Sequence, residues 1–583
     1  MTTPTVPARA AVRRPQLPPG AHTAAITLTS VITITLLAGA LPWLTGSDPA
    51  HTVLRARHTE RDADPAALAA IRTELRLPDN PLTGALTWLS HALHGDLGTS
   101  WVSGKEVSSV VTPALLISTN LAATAALTTL AVAALLITPR LLSLAHGHTH
   151  TRPTLPALAG TLAALPEAVV AVTLAWIFAI HFRWLPAVGW REPRDMILPV
   201  SAIALSSSGI LTRILLDAVT TIAAEDWVDT WRANGARPAR LAALIAHRAL
   251  AVVLPQVMLL FAGIVGASVI VEDTFAVPGL GRLCLQASLA QDIPVVQGCV
   301  AALVVVGALV GAAGMVAHRL LLGPALGAGR GVAGVRRVAV GGPSRLWWAA
   351  VAALTVLVVG GWCRSAQIMP GERHLSPSWT HPWGTDHVGR DVWARVGQGA
   401  FFTVGTALLL SFVVVVIGVA VGLSSREGSG IADVLNAVPS VFLGLVVAAV
   451  AGPGMLSAAV AICVVAWIPL AVHARTLAVE ARASGYHQAA LVAGAGRWWI
   501  IWHHLLPTVM RPVTVHALMR VPHVALALTG LGYLGLGAGH DSPEWGMLLA
   551  ESVLHLERAP WAVAAPAVGL VLLGLVANLW RAE

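Results

Sequence analysis

Residues 408–423 read LLLSFVVVVIGVAVGL, a run without a single charged side chain. With its apolar flanks it approaches the roughly 20 residues that a helix rising about 1.5 Å per residue needs to cross about 30 Å of hydrocarbon. Similar runs lie near 24–44, 114–137, 157–180, 197–222, 256–271 and 297–321 in the first half. In the second half they lie near 346–363, 401–423, 437–452, 455–474, 513–536 and 561–580. In lipid only helices or closed barrels satisfy their own backbone, and no strand-like alternation competes here. The sequence therefore predicts an all-α integral membrane protein with about 12 transmembrane helices, six per half.

Composition supports this. Hydrophobic residues make up 56% of the chain and charged residues only 11%, against about a quarter charged in soluble proteins. The net charge of +8 sits in short loops rather than in a basic domain, so it fits positive cytoplasmic loops and not nucleic-acid binding. Lys105 is the sole lysine; it is followed by Glu106, which excludes a phosphate loop ending in Gly-Lys-Ser/Thr. Cys284, Cys299, Cys363 and Cys463 have no CxxC spacing, so neither a metal site nor a disulfide framework follows. The 21 tryptophans against two tyrosines suit anchors at the membrane interface.

The runs divide into a basic tail (1–23), a first unit (24–322), a Gly/Ala/Arg-rich linker (323–345) and a second unit (346–583). Arginines in the tail, the linker and the loops 223–255 and 475–512 place those segments, and both termini, in the cytoplasm. The loop 45–113 and the segment 364–400 then fall outside. The two cytoplasmic loops share a pattern: a polar helix-forming stretch, a glycine, an amphipathic stretch, then Leu-Pro at the next membrane helix. A parallel duplication is the simplest account, and in transporters such repeats flank a central pathway.

These loops carry a resemblance to a known family. Gln488, Ala489 and Ala490, followed by Gly494 and Leu506-Pro507, resemble the EAA loop of ABC-type importer permeases. In the first half Asp229, Thr230, Gly235 and Pro255 occupy the corresponding places. RTELRLPDNPLTGALTWLSHALHGDLGTSWVSGKEV (72–107), FRWLPAVGW (182–190) and VEDTFAVPGLGRLCLQASLAQDIPVVQG (271–298) resemble the first permease of the dipeptide/oligopeptide/nickel importer family. HPWGTDHVGRDVWARVGQGA (381–400), the stretch from VPSVFLG to AGPGM and DSPEWGMLLAES (541–552) resemble its partner permease. The resemblance implies both permeases fused in one chain of the cell membrane, related by a pseudo-two-fold axis. It implies no chemistry, metal or cofactor in this chain. One or two cytosolic ATPase subunits would use ATP and Mg, and an extracellular solute-binding protein would deliver the ligand.

Within that reading, Gly95, Asp96 and Gly98 in the first unit, and Gly384, Thr385, Asp386, Gly389, Arg390 and Asp391 in the second, are extracellular family motifs. Asp386 is expected to cap the following helix and Asp391 to pair with Arg395 across one turn. Three features depart from the family: Gln488 stands where an acid is usual, Thr230-Trp231 fill the place of two small residues, and the stretch from Gly235 to Pro255 is about two residues longer than usual. The first coupling contact is therefore expected to be the weaker. Glu167, after Pro166 in the third run, and its counterpart Ser440 are candidate pathway residues. If the helix is continuous, Glu167 lies roughly 20 Å below its outer end; if the helix begins later, Glu167 sits at the cytosolic interface. HGHTH (146–150) invites a metal reading but suits solvated histidines in a short loop. The rival is an ion-gradient-driven carrier of six plus six helices, for which the cytoplasmic Gly/Leu-Pro loops would have no purpose.

Overall fold

The computed structural model describes residues 80–148, 154–322, 345–424, 440–539 and 542–579, with short pieces between 32 and 74. The tail 1–23, nearly all of the linker, most of the first apolar run, Thr149 and His150 of the histidine cluster, and Val438-Pro439 lie outside the described residues. Among the described residues the chain is helical, apart from two isolated β-bridges, Thr99 with Glu106 and Thr385 with Asp391.

The first unit contains α1 (Pro81–Leu93), α2 (Val107–Ala145), α3 (Thr154–Ala164), α4 (Glu167–Leu174), α5 (Ile197–Ala223), α6 (Asp226–Ala233), α7 (Pro238–Ala267), α8 (Val269–Thr274), α9 (Leu280–Leu289) and α10 (Ile293–Leu322). The second contains α11 (Arg345–Trp362), α12 (Val392–Ala400), α13 (Thr406–Ser424), α14 (Ser440–Ala451), α15 (Met455–Ala483), α16 (Gly485–Val492), α17 (Leu506–Tyr533), α18 (Trp545–Val553) and α19 (Pro560–Leu579). Local chemistry sets several ends. Asn80 accepts the Leu82 N–H at 3.0 Å with Pro81 at the first helical position of α1. Glu544 does the same for Gly546 at the start of α18.

Packing repeats between the units. Helix α5 gathers α2, α3 and α7, as α15 gathers α13, α14 and α17. Across the join, α3 packs on α19 while α14 packs on α10 and α9. The third element of each unit thus leans on the last membrane helix of the other, a reciprocal exchange that a two-fold relation produces. Residues of both units share one buried cluster, including Val269, Ile270, Leu285, Phe442, Leu445 and Leu528. Thr274 and Tyr533 hydrogen-bond across it at 3.2 Å.

Eight helical segments among the described residues are long and apolar enough to span a membrane, or nine with the bent pair α3 and α4. The remaining expected spans have identifiable reasons for falling short. The first run is mostly outside the described residues, and α14 has only 12 residues. Helix α17 has the length, but Arg511, Arg520 and two histidines, His516 and His523, dilute its apolarity.

The third run is not the continuous helix that places Glu167 by simple rise. The chain breaks at Leu165-Pro166, and the segment Glu167–His181 turns 89° from α3. Proline cannot continue a helix, and the residue before it disfavours the helical region. Glu167 is the first residue of α4, so the depth of 20 Å, which assumes a continuous helix, does not describe it, and the helix begins later than the apolar run suggests.

One buried carboxylate in each unit closes an irregular turn. Glu272 is fully buried and accepts hydrogen bonds from Ser118 Oγ at 2.6 Å, Ser268 Oγ at 2.8 Å and the Arg282 N–H at 3.0 Å. A Cβ on Gly279 would stand 2.5 Å from its carboxyl carbon. Glu544 is equally buried, and a Cβ on Gly532 would meet its Oε2 at 2.2 Å. Removing the Glu272 acceptor leaves the Ser118 hydroxyl and the Arg282 N–H without it, at about 1–3 kcal/mol for each stranded buried donor, while Ser268 keeps Val265 O at 2.9 Å. Glu272→Ala is expected to lower the melting temperature of the solubilised protein, read by loss of the monodisperse gel-filtration peak, far more than Ser118→Ala.

Candidate functional site

The two loops on one side of the bundle are built alike, to the residue. Helix α6 covers 226–233 and α16 covers 485–492, so every position of one is matched in the other by the same sequence shift. Each ends in a glycine with left-handed backbone, Gly235 at φ +75° and Gly494 at φ +80°, where a Cβ is strained. Each buries one residue at the same position, Val228 and His487, and exposes the next, Asp229 and Gln488. Thr230 and Trp231 thus lie where Ala489 and Ala490 lie in the other loop.

Anchoring differs. The first loop is tied by Arg232, whose Nη2 donates to Leu144 O at 3.1 Å and which also bonds Asp229, and by an Arg248–Glu225 pair at 3.0 Å. The second is tied by Arg482 Nη2 to Leu423 O at 2.7 Å. Trp231 is exposed, with Arg240 lying 5.8 Å over its ring, so the bulky residue is accommodated by facing outward. Around α16 the exposed side chains include Leu491, Val492, Trp498 and Trp502. Pro255 falls inside α7 and Leu506-Pro507 at the start of α17. An apolar cavity of about 1380 Å³ opens beside the second loop between α13 and α17; its lining is almost devoid of charge.

On the opposite side, both families of sequence motif form tight turns at the entry to a membrane helix. Asp96 Oδ1 accepts the Gly98 N–H at 2.9 Å, the Val107 N–H bonds Gly98 O at 2.9 Å, and Asp292 receives the Trp101 N–H at 3.0 Å together with the Ser100 hydroxyl. Gly95 and Gly98 both take φ +85°. In the second unit Asp386 does not cap the helix: its Oδ1 accepts the Val388 and Arg390 N–H groups inside the turn at 3.0 and 2.8 Å. The cap is Asp391, which receives the Ala394 N–H at 3.1 Å.

The expected Asp391–Arg395 pair is also replaced. Asp391 pairs with Arg364 at 2.8 Å and His381 at 3.0 Å, because its cap role points the carboxylate back from the helix. Arg395 instead reaches Asp386 at 3.1 Å and Glu551 of α18 at 2.8 Å. Arg390 joins the same two acids. Burial opposes ionisation of Asp386, but the hydrogen bonds and charges of Arg390, with the charge of Arg395, hold its carboxyl below the ordinary value. Thr385 Oγ1 accepts the Leu375 N–H at 2.8 Å, and its carbonyl accepts from Trp561 at 3.1 Å. A Cβ on Gly389 would fall 1.9 Å from Met369 O, and its φ is +87°, so this turn admits glycine alone.

Several placements lay beyond sequence reasoning. Glu551 and Asp292 complete the two turns from far along the chain. Glu272 and Glu544 carry no local sequence signal that marks them as buried acceptors. His146 bonds Leu142 O at 2.8 Å as part of the α2 terminus, and no group of three or more candidate metal ligands occurs among the described residues. Ser440 opens α14 as Glu167 opens α4.

Arg395 is nearly buried between two acids, and removing one member of a buried ionic group costs about 3–5 kcal/mol. Arg395→Ala is expected to destabilise the solubilised protein strongly. Glu551→Gln in the same chain should restore part of the loss, and a double-mutant thermal-stability cycle measures the coupling.

Comparison with known proteins gives these shapes a context. Residues 151–322 and 415–582 each match the family described as binding-protein-dependent transport system inner membrane component, together more than half of the chain. A dipeptide transport system permease protein of Alkalihalophilus pseudofirmus is 32% identical over 225 residues, which is 37% of this chain and 73% of that protein. A probable D,D-dipeptide transport system permease protein of Escherichia coli K12 is 34% identical over 217 residues, 36% of this chain and 72% of that protein. A peptide transport system permease protein of Escherichia coli O6:H1 is 31% identical over 247 residues, 39% and 83% respectively. Each match takes up little more than a third of this chain, as expected when one relative corresponds to one unit. The ion-gradient carrier gains no support. The chain is an all-helical, multi-pass membrane protein that belongs to the binding-protein-dependent transport system inner membrane components, the permeases of ABC importers, with the family's unit present twice.

Proposed function

We propose that this chain supplies the entire membrane pathway of an ATP-driven importer of peptides, with both permease subunits in one polypeptide. The single observation that carries the reading is the pair of matching loops, 226–235 and 485–494, each a mostly exposed eight-residue helix followed by a left-handed glycine at the same spacing. Two equal projections on one side of a two-fold body suit two ATPase subunits, identical or different, that hydrolyse ATP with Mg and drive the units between two rocking states. This side is cytosolic by its arginines, which puts both termini inside.

The coupling residues in this reading are Asp229, Thr230, Gly235 and Pro255 in the first unit and Gln488, Ala489, Ala490, Gly494, Leu506 and Pro507 in the second. The turns at 95–98 and 384–391 then face outward, where a solute-binding protein docks. Glu167 and Ser440, which open equivalent helices at the join, are read as pathway residues. Peptides are favoured as cargo because the relatives are named for them; nickel or a metal chelate is the second reading and rests on the sequence resemblance alone.

Reconstitution with the ATPase subunits and the binding protein tests this. Vesicles are expected to accumulate labelled peptide with ATP and not with a proton or sodium gradient alone. Gly494→Val, which forces a β-branched residue to φ +80°, is expected to cut uptake at least tenfold while leaving membrane insertion intact. Gly235→Val should cost less, since the first contact bears Thr230-Trp231. Uptake driven by an ion gradient without ATP would overturn the reading.

A further inference from the structure

Five basic side chains lie near one another, on helices from both units. Arg213 lies on α5 of the first unit; His473 on α15 and His516, Arg520 and His523 on α17 belong to the second. The His473 and His516 rings stack with centroids 5.1 Å apart. His523 lies within electrostatic reach of Arg520, His516 and Arg213, so the group bridges the join between the units. The helical register places Arg213, His473 and His516 at one level, ten residues or about 15 Å from the loop-side ends of their helices. Arg520 stands near the middle of α17, about 20 Å from either end, with His523 almost a turn beyond it.

These side chains open onto space. His523 is exposed, and Arg213, His473, His516 and Arg520 are partly exposed, although each lies well inside a long helix of the bundle. His523, within electrostatic reach of Arg213 of the other unit, lies on the side of α17 that neighbours the first unit. The equivalent helices α5 and α15 contribute neighbouring positions: under the register that matches α6 to α16, Arg213 corresponds to Val472, next to His473. The acids near the group, Asp217 one turn along α5 and Glu480 within electrostatic reach of His473, lie toward its loop-side edge. The deeper level, Arg520 and His523, is basic.

An arginine at mid-membrane is costly by about 2.5–3.5 kcal/mol or more, and such residues mark solute pathways. Gathering several like charges in a low-dielectric body raises that cost by repulsion unless water or an anion stands between them. We propose that Arg213 and Arg520, with His473, His516 and His523, form an anion-binding station in the translocation pathway that receives a carboxylate of the passing solute. The planar guanidinium matches a carboxylate in two-point geometry, and flanking imidazoles supply further donors. The station deepens the peptide-import reading by naming the group of the cargo that the pathway engages.

Two measurements test it, and they separate this proposal from the reading on which it rests. First, the full chain in nanodiscs, without ATPase or binding protein, is treated with the arginine reagent phenylglyoxal and the modified peptides are quantified. Arg520 is expected to be modified, and dialanine is expected to slow that modification at least threefold while dialanine amide does not. No modification, or equal protection by acid and amide, overturns the proposal whatever the chain transports. Second, in the reconstituted importer Arg520→Gln is expected to reduce dialanine uptake at least tenfold and Arg520→Lys no more than threefold, with binding-protein-stimulated ATP hydrolysis retained in both. Equal uptake by wild type and Arg520→Gln overturns the station. Failure of the wild-type importer to move any peptide, with carboxylate protection of Arg520 intact, overturns the peptide reading and leaves the anion station standing.

Discussion

Lipid offers no partner for a backbone N–H or C=O, and this constraint governs where the chain is allowed to stop being helical. Among the described residues, three breaks between apolar helices are wrapped in protein. At Leu165-Pro166 the chain turns through 89° with Ala164, Pro166 and Ala168 buried around it. After α8, the residues leading to α9 fold over Glu272, whose carboxylate takes the Arg282 N–H and two serine hydroxyls. At the end of α17, Gly532 and Gly537 pack closely against Glu544, whose Oε1 accepts the Gly546 N–H at 3.1 Å. A carboxylate is costly inside a membrane protein, but a carboxylate that terminates several donors at once removes a comparable cost from the backbone it serves.

Because the irregular turns are held by short-range chemistry, the two units keep the same outline while their side chains diverge. Both place a β-bridge immediately before a long membrane helix, Thr99 with Glu106 and Thr385 with Asp391. Both stabilise that turn with an acid from the helical segment preceding or leading to the last span, Asp292 and Glu551. The first unit does this with hydroxyl and backbone donors, the second with Arg390 and Arg395. The charged version tolerates burial because two arginines face two acids, whereas the neutral version needs only one acid.

The fold class, the duplication and the glycine at the end of each loop helix were legible, because each follows from a local rule: apolar length, repeated order, and the need for a left-handed residue. Helix partners were not. Asp391 and Arg395 are spaced for a helical pair, yet capping claimed Asp391, and Arg395 turned to Glu551, more than 150 positions away. Spacing reports which side chains share a face; it does not report what the opposite wall offers. The bend at Pro166 shows a second limit. Proline announces a break, but whether a membrane helix kinks or turns fully aside depends on what packs against it, here α5 and the last helix of the other unit. The basic group of α5, α15 and α17 was invisible for the same reason, since its members are scattered between positions 213 and 523.

Joining the units in one chain also changes what selection can act on. Two separate subunits must each retain a surface that finds its partner at cellular concentration; covalent linkage replaces that encounter with a high effective concentration. It also fixes the two units at one to one, so the proposed anion station can be divided unequally, with one arginine from the first unit and one arginine and three histidines from the second. The same licence extends to the loops. Trp231 and Ala490 occupy one position of a shared geometry, and so do Val228 and His487. Identical backbone with unlike side chains is the expected state of a duplicated device whose halves are held together by the chain itself, because the shape is constrained twice and the chemistry only once.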